Sequence, residues 1–151
     1  MIGLLQRVRD ASVTVEDEII GAIDQGLLVL IGVERNDTTA QAERLAQRLL
    51  RYRVFADEQG KMNLNVQQIS GGILLVPQFT LAADTDHGNR PGFSRAAEPA
   101  VGQQLFEHLV ATMRQAWPQV ETGQFGADMQ VRLCNDGPVT ISLTVSPDAD
   151  L

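Results

Sequence analysis

Two short stretches carry polar groups whose types and spacing could serve chemistry. Gln78-Phe79-Thr80 sets an amide and a hydroxyl at the end of an apolar run, and Asn135-Asp136-Gly137-Pro138 cuts across an alternating pattern. Each also has a purely structural explanation. Thr80 is a good strand former whose hydroxyl can bond locally, and Asn-Asp-Gly-Pro is ordinary bulge or turn chemistry. In the polar segment 84–95, His87 is either a general base oriented by Asp84 or Asp86 or a solvated loop histidine. His108, beside Leu109 in a helical pattern, reads as a packing or surface residue. No Gly-x-Ser-x-Gly elbow, phosphate-binding Gly-x-x-x-x-Gly-Lys loop or dinucleotide fingerprint occurs. No His or Cys cluster has metal-ligand spacing, so neither metal nor cofactor is expected. The single cysteine, Cys134, cannot pair within the chain. It follows the alternating run Met129–Leu133 and is expected as a buried strand thiol.

The elements that must hold these residues follow from periodicity. Val13-Thr14-Val15 reads as the end of a first strand, Glu16-Asp17-Glu18 as a turn, and Ile19–Ile23 as the returning strand of a hairpin. Leu27–Val33 is continuously apolar, as in a strand covered on both faces. Asn36-Asp37-Thr38-Thr39 is a helix start, followed by the stripe Ala42, Leu45, Ala46, Leu49 and Tyr52. Val54-Phe55 opens another strand before a turn at Glu58–Lys61. Ile73–Val76 is a buried strand expected to run on through Gln78-Phe79-Thr80-Leu81. A polar loop, 84–95, precedes a second helix with Val101, Leu105, Leu109, Met113 and Trp117 on one side, stopped by Pro118. Met129–Leu133 and Val139–Val145 are strands separated by the Asn135–Pro138 break. Tight strand-to-strand turns and only two helices predict an α/β domain. Its mostly antiparallel or mixed β-sheet would close into a barrel-like core with two long helices. Residues 1–145 form the domain and 146–151 a polar C-terminal tail.

The chain has 151 residues, enough for one domain that needs no disulfide or metal to fold. Its formal net charge of −7 argues against broad binding to a nucleic acid backbone. A small footprint is still open, because five of the twelve basic residues (Arg44, Arg48, Arg51, Arg53 and Lys61) lie between positions 44 and 61. That cluster is otherwise a solvated helix face. The short apolar start Met1–Leu5, soon followed by Arg7 and Arg9, is no signal peptide or membrane span. The protein is expected in the cytoplasm, with no membrane partner.

At the two chemical stretches the sequence resembles the D-aminoacyl-tRNA deacylase family, also called D-tyrosyl-tRNA deacylase. The family's Ser-Gln-Phe-Thr-Leu stands here as Pro77-Gln78-Phe79-Thr80-Leu81, and its Asn-x-Gly-Pro-x-Thr as Asn135-Asp136-Gly137-Pro138-Val139-Thr140. Gln6-Arg7-Val8 with Ala11-Ser12-Val13, Gly60–Asn65, Arg90–Ser94 and Thr122–Met129 also match, in order, over about 135 residues. Pro77, in place of the family Ser, is the one departure inside a core motif.

The resemblance implies a homodimer with its active site at the subunit interface, acting on the 3′ end of D-aminoacyl-tRNA and not on DNA. It implies that the 2′-hydroxyl of the terminal adenosine helps attack the ester, so that no side-chain nucleophile is needed. Gln78, Phe79 and Thr80 form the catalytic segment, with the Phe79 and Thr80 backbone N–H groups as oxyanion donors. An older role for the Thr80 hydroxyl as nucleophile lacks a base to activate it. Gly137-Pro138, joined by a cis bond, would reach into the partner's pocket and hold the substrate amine, excluding an L-residue by its Cβ. Glycyl-tRNA, lacking Cβ, would escape that exclusion. Phe125 and Met129 resemble residues of the adenine pocket. Two rival functions stay open: a non-enzymatic dimeric nucleic-acid-binding module, and a hydrolase of small D-amino-acid esters or amides using Thr80 or His87.

Overall fold

The computed structural model describes residues 1–147; positions 148–151 of the expected polar tail lie outside the described residues. The order is β1 (Ile2–Val15), β2 (Glu18–Ile23), β3 (Gly26–Gly32), α1 (Thr39–Arg51), β4 (Phe55–Ala56), β5 (Met62–Leu64), β6 (Gly72–Pro77), α2 (Pro99–Ala116), β7 (Val120–Thr122) and β8 (Gln130–Thr144). A 3-10 turn over Phe79–Ala82 lies between β6 and α2.

The long strand β1 organises the sheet. One edge pairs antiparallel with β3 along Ile2–Val8 and then with β2 along Ala11–Val15. The other edge pairs antiparallel with β8. Beyond β3 the ladders are parallel, β3 to β6 and β6 to β7. The sheet is thus mixed, and it nearly closes into a barrel: a Cβ built on Gly21 of β2 would lie 2.8 Å from the Thr122 carbonyl oxygen of β7. The β1–β2 turn is made by Glu16 and Asp17, whose φ values of 49° and 65° suit the twist of a tight hairpin.

Burial follows pairing. The parallel strands β3 and β6 are buried on both faces except at Leu30, as expected where helices or sheet cover each side. Helix α1 is capped by Thr38, with Gln41 returning the hydrogen bond. It buries Ala42, Leu45, Ala46 and Leu49 against the sheet. Helix α2 starts at Pro99, where a missing N–H costs nothing, and buries Leu105, Phe106, Leu109, Val110 and Met113. Each of these large side chains contributes about 1.5–3 kcal/mol of apolar burial. The α-ammonium of Met1 is buried and donates to Asp37 at 2.9 Å, to the Val145 carbonyl at 2.7 Å and to Glu34 at 3.2 Å. This cluster fixes the segment leading from β3 to α1. Burial pushes the Asp37 carboxyl above the ordinary carboxylate value, against the Glu34 N–H and the ammonium, which pull it down.

Four expectations are corrected. The strand expected to continue to Leu81 ends at Pro77 and becomes the 3-10 turn. Val101 is 42% exposed, because the buried face of α2 runs through Gly102, Leu105, Leu109 and Met113. The two strands expected on either side of Asn135–Pro138 are the single strand β8, and the break between them is the bulge that the Asn-Asp-Gly-Pro chemistry allowed. Gln6 pairs with Thr140 and Val8 with Asn135, so Arg7 alone faces residues 136–139. Cys134 is exposed rather than buried, since Val131 and Leu133 take the inward positions of β8 and Cys134 falls on the alternate face.

Candidate active site

The first motif is built where β6 ends. Gln78 still donates its N–H to the Ile31 carbonyl at 2.7 Å. The chain then winds into the 3-10 turn, closed by Leu81 N–H to Gln78 carbonyl at 3.2 Å and Ala83 N–H to Thr80 carbonyl at 3.1 Å. Phe79 and Thr80 open that turn, so their N–H groups precede its own ladder. Among the described residues neither donates to a backbone carbonyl. The turn packs directly on β3: a Cβ on Gly32 would lie 2.9 Å from the Leu81 Cβ. Gly32, which the sequence reading did not single out, therefore seats the turn.

The Gln78 side-chain amide donates to the Thr80 hydroxyl. An amide cannot take a proton, so this contact gives Thr80 a local partner and no activation. The polar loop offers none either. Arg95 engages Asp86 at 2.8 Å and Asp84 at 3.7 Å, and no hydrogen bond joins His87 to either carboxylate among the described residues. His108 faces Glu43 at 3.0 Å, between the exposed sides of the two helices. No group of His, Cys, Asp and Glu that could hold a metal occurs among the described residues.

Two cavities share Phe79 in their lining. The first, about 260 Å³, is lined by Gln78, Phe79, Phe106 and Phe125 together with Val33 and Ala97. The second, about 230 Å³, is lined by Pro77, Gln78, Phe79 and Met129. No lining residue of either carries an ionisable group. Phe125 lines the first of these cavities and Met129 the second, and Pro77, Gln78, Phe79 and Gly126 line both. Met129 is held by the Gln124 N–H, 3.4 Å from its sulfur. Phe79 is 58% exposed and tilts at 56° against Phe93 of the polar loop, centroids 5.0 Å apart. Phe93 matched a family motif without an assigned role; the pairing shows that it supports the site's lip.

Pro77 lines both cavities. Backbone N–H groups alternate between the edges of a strand. Gln78 donates toward β3, so the Pro77 nitrogen faces the β7 side, where the last bond is Gly123 N–H to the Leu75 carbonyl at 2.8 Å. No ladder bond is lost there. Pro77→Ser should therefore leave the fold intact and the rate of ester hydrolysis within about twofold, a change smaller than one hydrogen bond. A large loss on steady-state assay would mean that the backbone of the turn depends on Pro77.

The second motif is the β8 bulge. Val139 N–H donates to the Asn135 side chain at 3.1 Å, and Asn135 donates to the Thr140 hydroxyl at 2.8 Å, closing the bulge from within. Arg7 braces it from β1, donating to the Asp136 carbonyl at 3.0 Å and to the Val54 carbonyl at 2.7 Å. The sequence reading treated Arg7 only as part of a matching motif, because a bracing role depends on a pairing 129 residues away. The Gly137–Pro138 bond is cis, and Gly137 has φ 130°, a conformation that favours glycine. Both residues are exposed.

The structure does not bring the two motifs together within one chain. Arg7, opposite the bulge, shares a row with Leu27 and Ile73. Pro77 lies four residues farther along β6, and β8 is three strand spacings from β6. At about 3.3 Å per residue and 4.8 Å per strand, that is roughly 20 Å along the sheet. No residue lining either cavity comes from the bulge.

Comparison with known proteins adds the lineage. Residues 4–144 match the family model described as D-Tyr-tRNA(Tyr) deacylase. The D-aminoacyl-tRNA deacylase of Pseudomonas syringae pv. tomato is 62% identical over 140 residues, covering 93% of this chain and 97% of that one. The one from Paracidovorax citrulli is 59% identical over 147 residues, covering 97% and 95%. A solved structure named c-Myc DNA Unwinding Element Binding Protein superposes with a TM-score of 0.93 at 38% identity, covering 97% of this chain and 99% of that one.

Proposed function

The chain belongs to the D-Tyr-tRNA(Tyr) deacylase family, and from that membership we propose that it hydrolyses the ester joining a D-amino acid to the 3′-terminal adenosine of tRNA. The observation that carries the mechanism is the pair of free N–H groups at Phe79 and Thr80, beside cavities without any ionisable side chain. Such a site stabilises charge rather than supplying a base. As the ester carbonyl turns tetrahedral, its oxygen becomes an oxyanion that accepts from the two N–H groups. The terminal 2′-hydroxyl assists attack by water. The bond from the acyl carbon to the 3′ oxygen breaks, the 3′ oxygen takes up the proton, and D-amino acid and tRNA leave. Phe125 and Met129 offer apolar and stacking surface for the adenine.

Chirality is set by Gly137-Pro138 of a second copy, whose carbonyls hold the substrate amine. With amine and ester carbonyl both fixed, a D-side chain points outward, while the Cβ of an L-residue meets the motif. Glycine has no Cβ, so glycyl-tRNA is a substrate as well. Two features support completion of the site by a partner. The motifs lie roughly 20 Å apart along the sheet of one chain, and among the described residues β8 pairs with β1 alone, leaving a 15-residue edge strand open to a second copy. The reaction takes place in the cytoplasm. The printed name of the solved relative suggests binding to DNA, but a free N–H pair beside an apolar cavity has no use in that role.

The test is ester loss from D- and L-tyrosyl-tRNA. The D-form should be hydrolysed rapidly and the L-form at the uncatalysed rate. Replacing the terminal adenosine by its 2′-deoxy form should slow the D-reaction sharply. Equal rates for the two enantiomers would sink chiral selection, and an undiminished 2′-deoxy rate would return the chemistry to a protein side chain.

A further inference from the structure

In a chain of net charge −7, the exposed side of α1 is basic. Arg44, Gln47, Arg48 and Arg51 follow the spacing that stacks residues on one helix face. With Tyr52 they line a shallow groove of about 210 Å³. The Arg48 guanidinium lies over the Tyr52 ring, 5.9 Å from its centroid, an arrangement that holds the charge in place. Nine of the twelve basic side chains have no carboxylate partner among the described residues, and Arg44, Arg48 and Arg51 are three of them gathered on one helix face. The one acid of α1, Glu43, is turned to His108 of α2. Arg44 and Arg48, one turn apart, repel each other in the free protein. A stripe of repelling cations with no internal counter-charge is built for an external polyanion.

We propose that this stripe seats the phosphate backbone of the tRNA acceptor stem while the 3′ end occupies the cavities beside Phe79. The proposal rests on the hydrolase reading above. Its geometry is set by α1. The chain enters α1 after Val33, which lines the first cavity. It leaves at Val54, whose carbonyl is held by Arg7 on the Leu27–Ile73 row, four residues down β6 from Pro77. Helix α1 therefore runs away from the cavity end, and a strand following it meets Arg44, then Arg48, then Arg51. Seven residues of helix cover about 10 Å, enough for roughly three successive phosphates. Such contacts position the nucleic acid without reading its sequence, as suits an enzyme that must accept many tRNAs.

The experiment compares wild type with the triple variants Arg44→Glu/Arg48→Glu/Arg51→Glu and Arg44→Gln/Arg48→Gln/Arg51→Gln. The Gln set guards against misfolding caused by the reversed charges. Each is assayed on D-tyrosyl-tRNA and on D-tyrosyl-adenosine, which has no stem, over a range of salt. With the tRNA, KM should rise about a hundredfold with kcat kept, and the dependence of log kcat/KM on log salt should flatten by about two to three units. Turnover of D-tyrosyl-adenosine should not change. An unaltered KM for the tRNA, or equal loss on both substrates, overturns the proposal. So does loss of affinity for a DNA duplex while the tRNA kinetics stand. If wild type hydrolyses neither substrate, the hydrolase reading fails instead. The stripe is then judged by binding of uncharged tRNA, where affinity equal to wild type in both triple variants overturns it.

Discussion

Phe79→Pro should lower kcat for D-tyrosyl-tRNA by about a hundredfold to a thousandfold, the usual consequence of removing one oxyanion donor. The substitution is chosen for what it leaves alone. Proline lacks the N–H but suits the first position of a helical turn, and Phe79 is the first residue of this 3-10 turn. The preceding Gln78 has φ −144° and ψ 83°, outside the helical region that proline disfavours in its neighbour. Loss of the ring is a separate matter, since Phe79 lines both cavities and packs on Phe93. Phe79→Ala controls for it, because it removes the ring and keeps the donor. Its defect should fall mainly in KM, and the extra loss in Phe79→Pro should fall in kcat. Thr80→Ala should keep most of the wild-type kcat, since its backbone N–H survives and among the described residues its hydroxyl meets the Gln78 amide alone. If Thr80→Ala drops to background while folded, the hydroxyl is the nucleophile and the oxyanion assignment is wrong. If Phe79→Pro and Phe79→Ala have equal kcat, the Phe79 N–H does not reach the carbonyl.

A feature of the fold or site was legible in the sequence where the contact that decides it is local. The hairpin at Glu16-Asp17, the cap at Thr38, the buried β3 and β6 and the stop at Pro118 all follow from neighbouring residues, and the structure has them. The 3-10 turn did not follow. Val76, Phe79, Thr80 and Leu81 carry strand propensity, and what ends the strand is the seat that Gly32 offers to Leu81, a contact 49 positions away. The exposure of Cys134 and the bulge likewise depend on β1 as partner, with Arg7 filling the place opposite four residues. The residues of the candidate site became legible through resemblance to a family rather than through periodicity. No acid, base or metal ligand marks them, and backbone N–H groups leave no trace in side-chain identity. The separation of the Gln78–Thr80 and Gly137-Pro138 motifs was visible only once strand register was known.

Gly137→Ala should remain folded, with the oligomeric state of the wild type, yet lose about a hundredfold or more in D-tyrosyl-tRNA hydrolysis. Gly137 has φ 130°, where a non-glycine residue is strained by about 1–3 kcal/mol. A Cβ there would also lie 2.9 Å from Arg7 Nη2 and 2.9 Å from Val139 Cγ2. Arg7 is a flexible side chain, but it is tied to the Asp136 and Val54 carbonyls, so it yields only by releasing the brace of the bulge. Relief therefore comes from turning the Gly137 and Pro138 carbonyls, which in the proposed mechanism hold the substrate amine. The fold should survive, because the bulge is exposed and its neighbours Asn135 and Thr140 close it independently. A mixed dimer then tests the cross-subunit site. One chain carries Gly137→Ala and the other Phe79→Pro, and the two are separated from homodimers by different affinity tags. If each pocket takes its N–H donors from one chain and its Gly137-Pro138 from the other, one pocket holds both defects and the second holds neither. The mixed dimer should regain about half of the wild-type rate although each parent is nearly inactive, since independent sites add. A site confined to one subunit would leave every pocket with one defect, and the purified mixed dimer would be as slow as its parents.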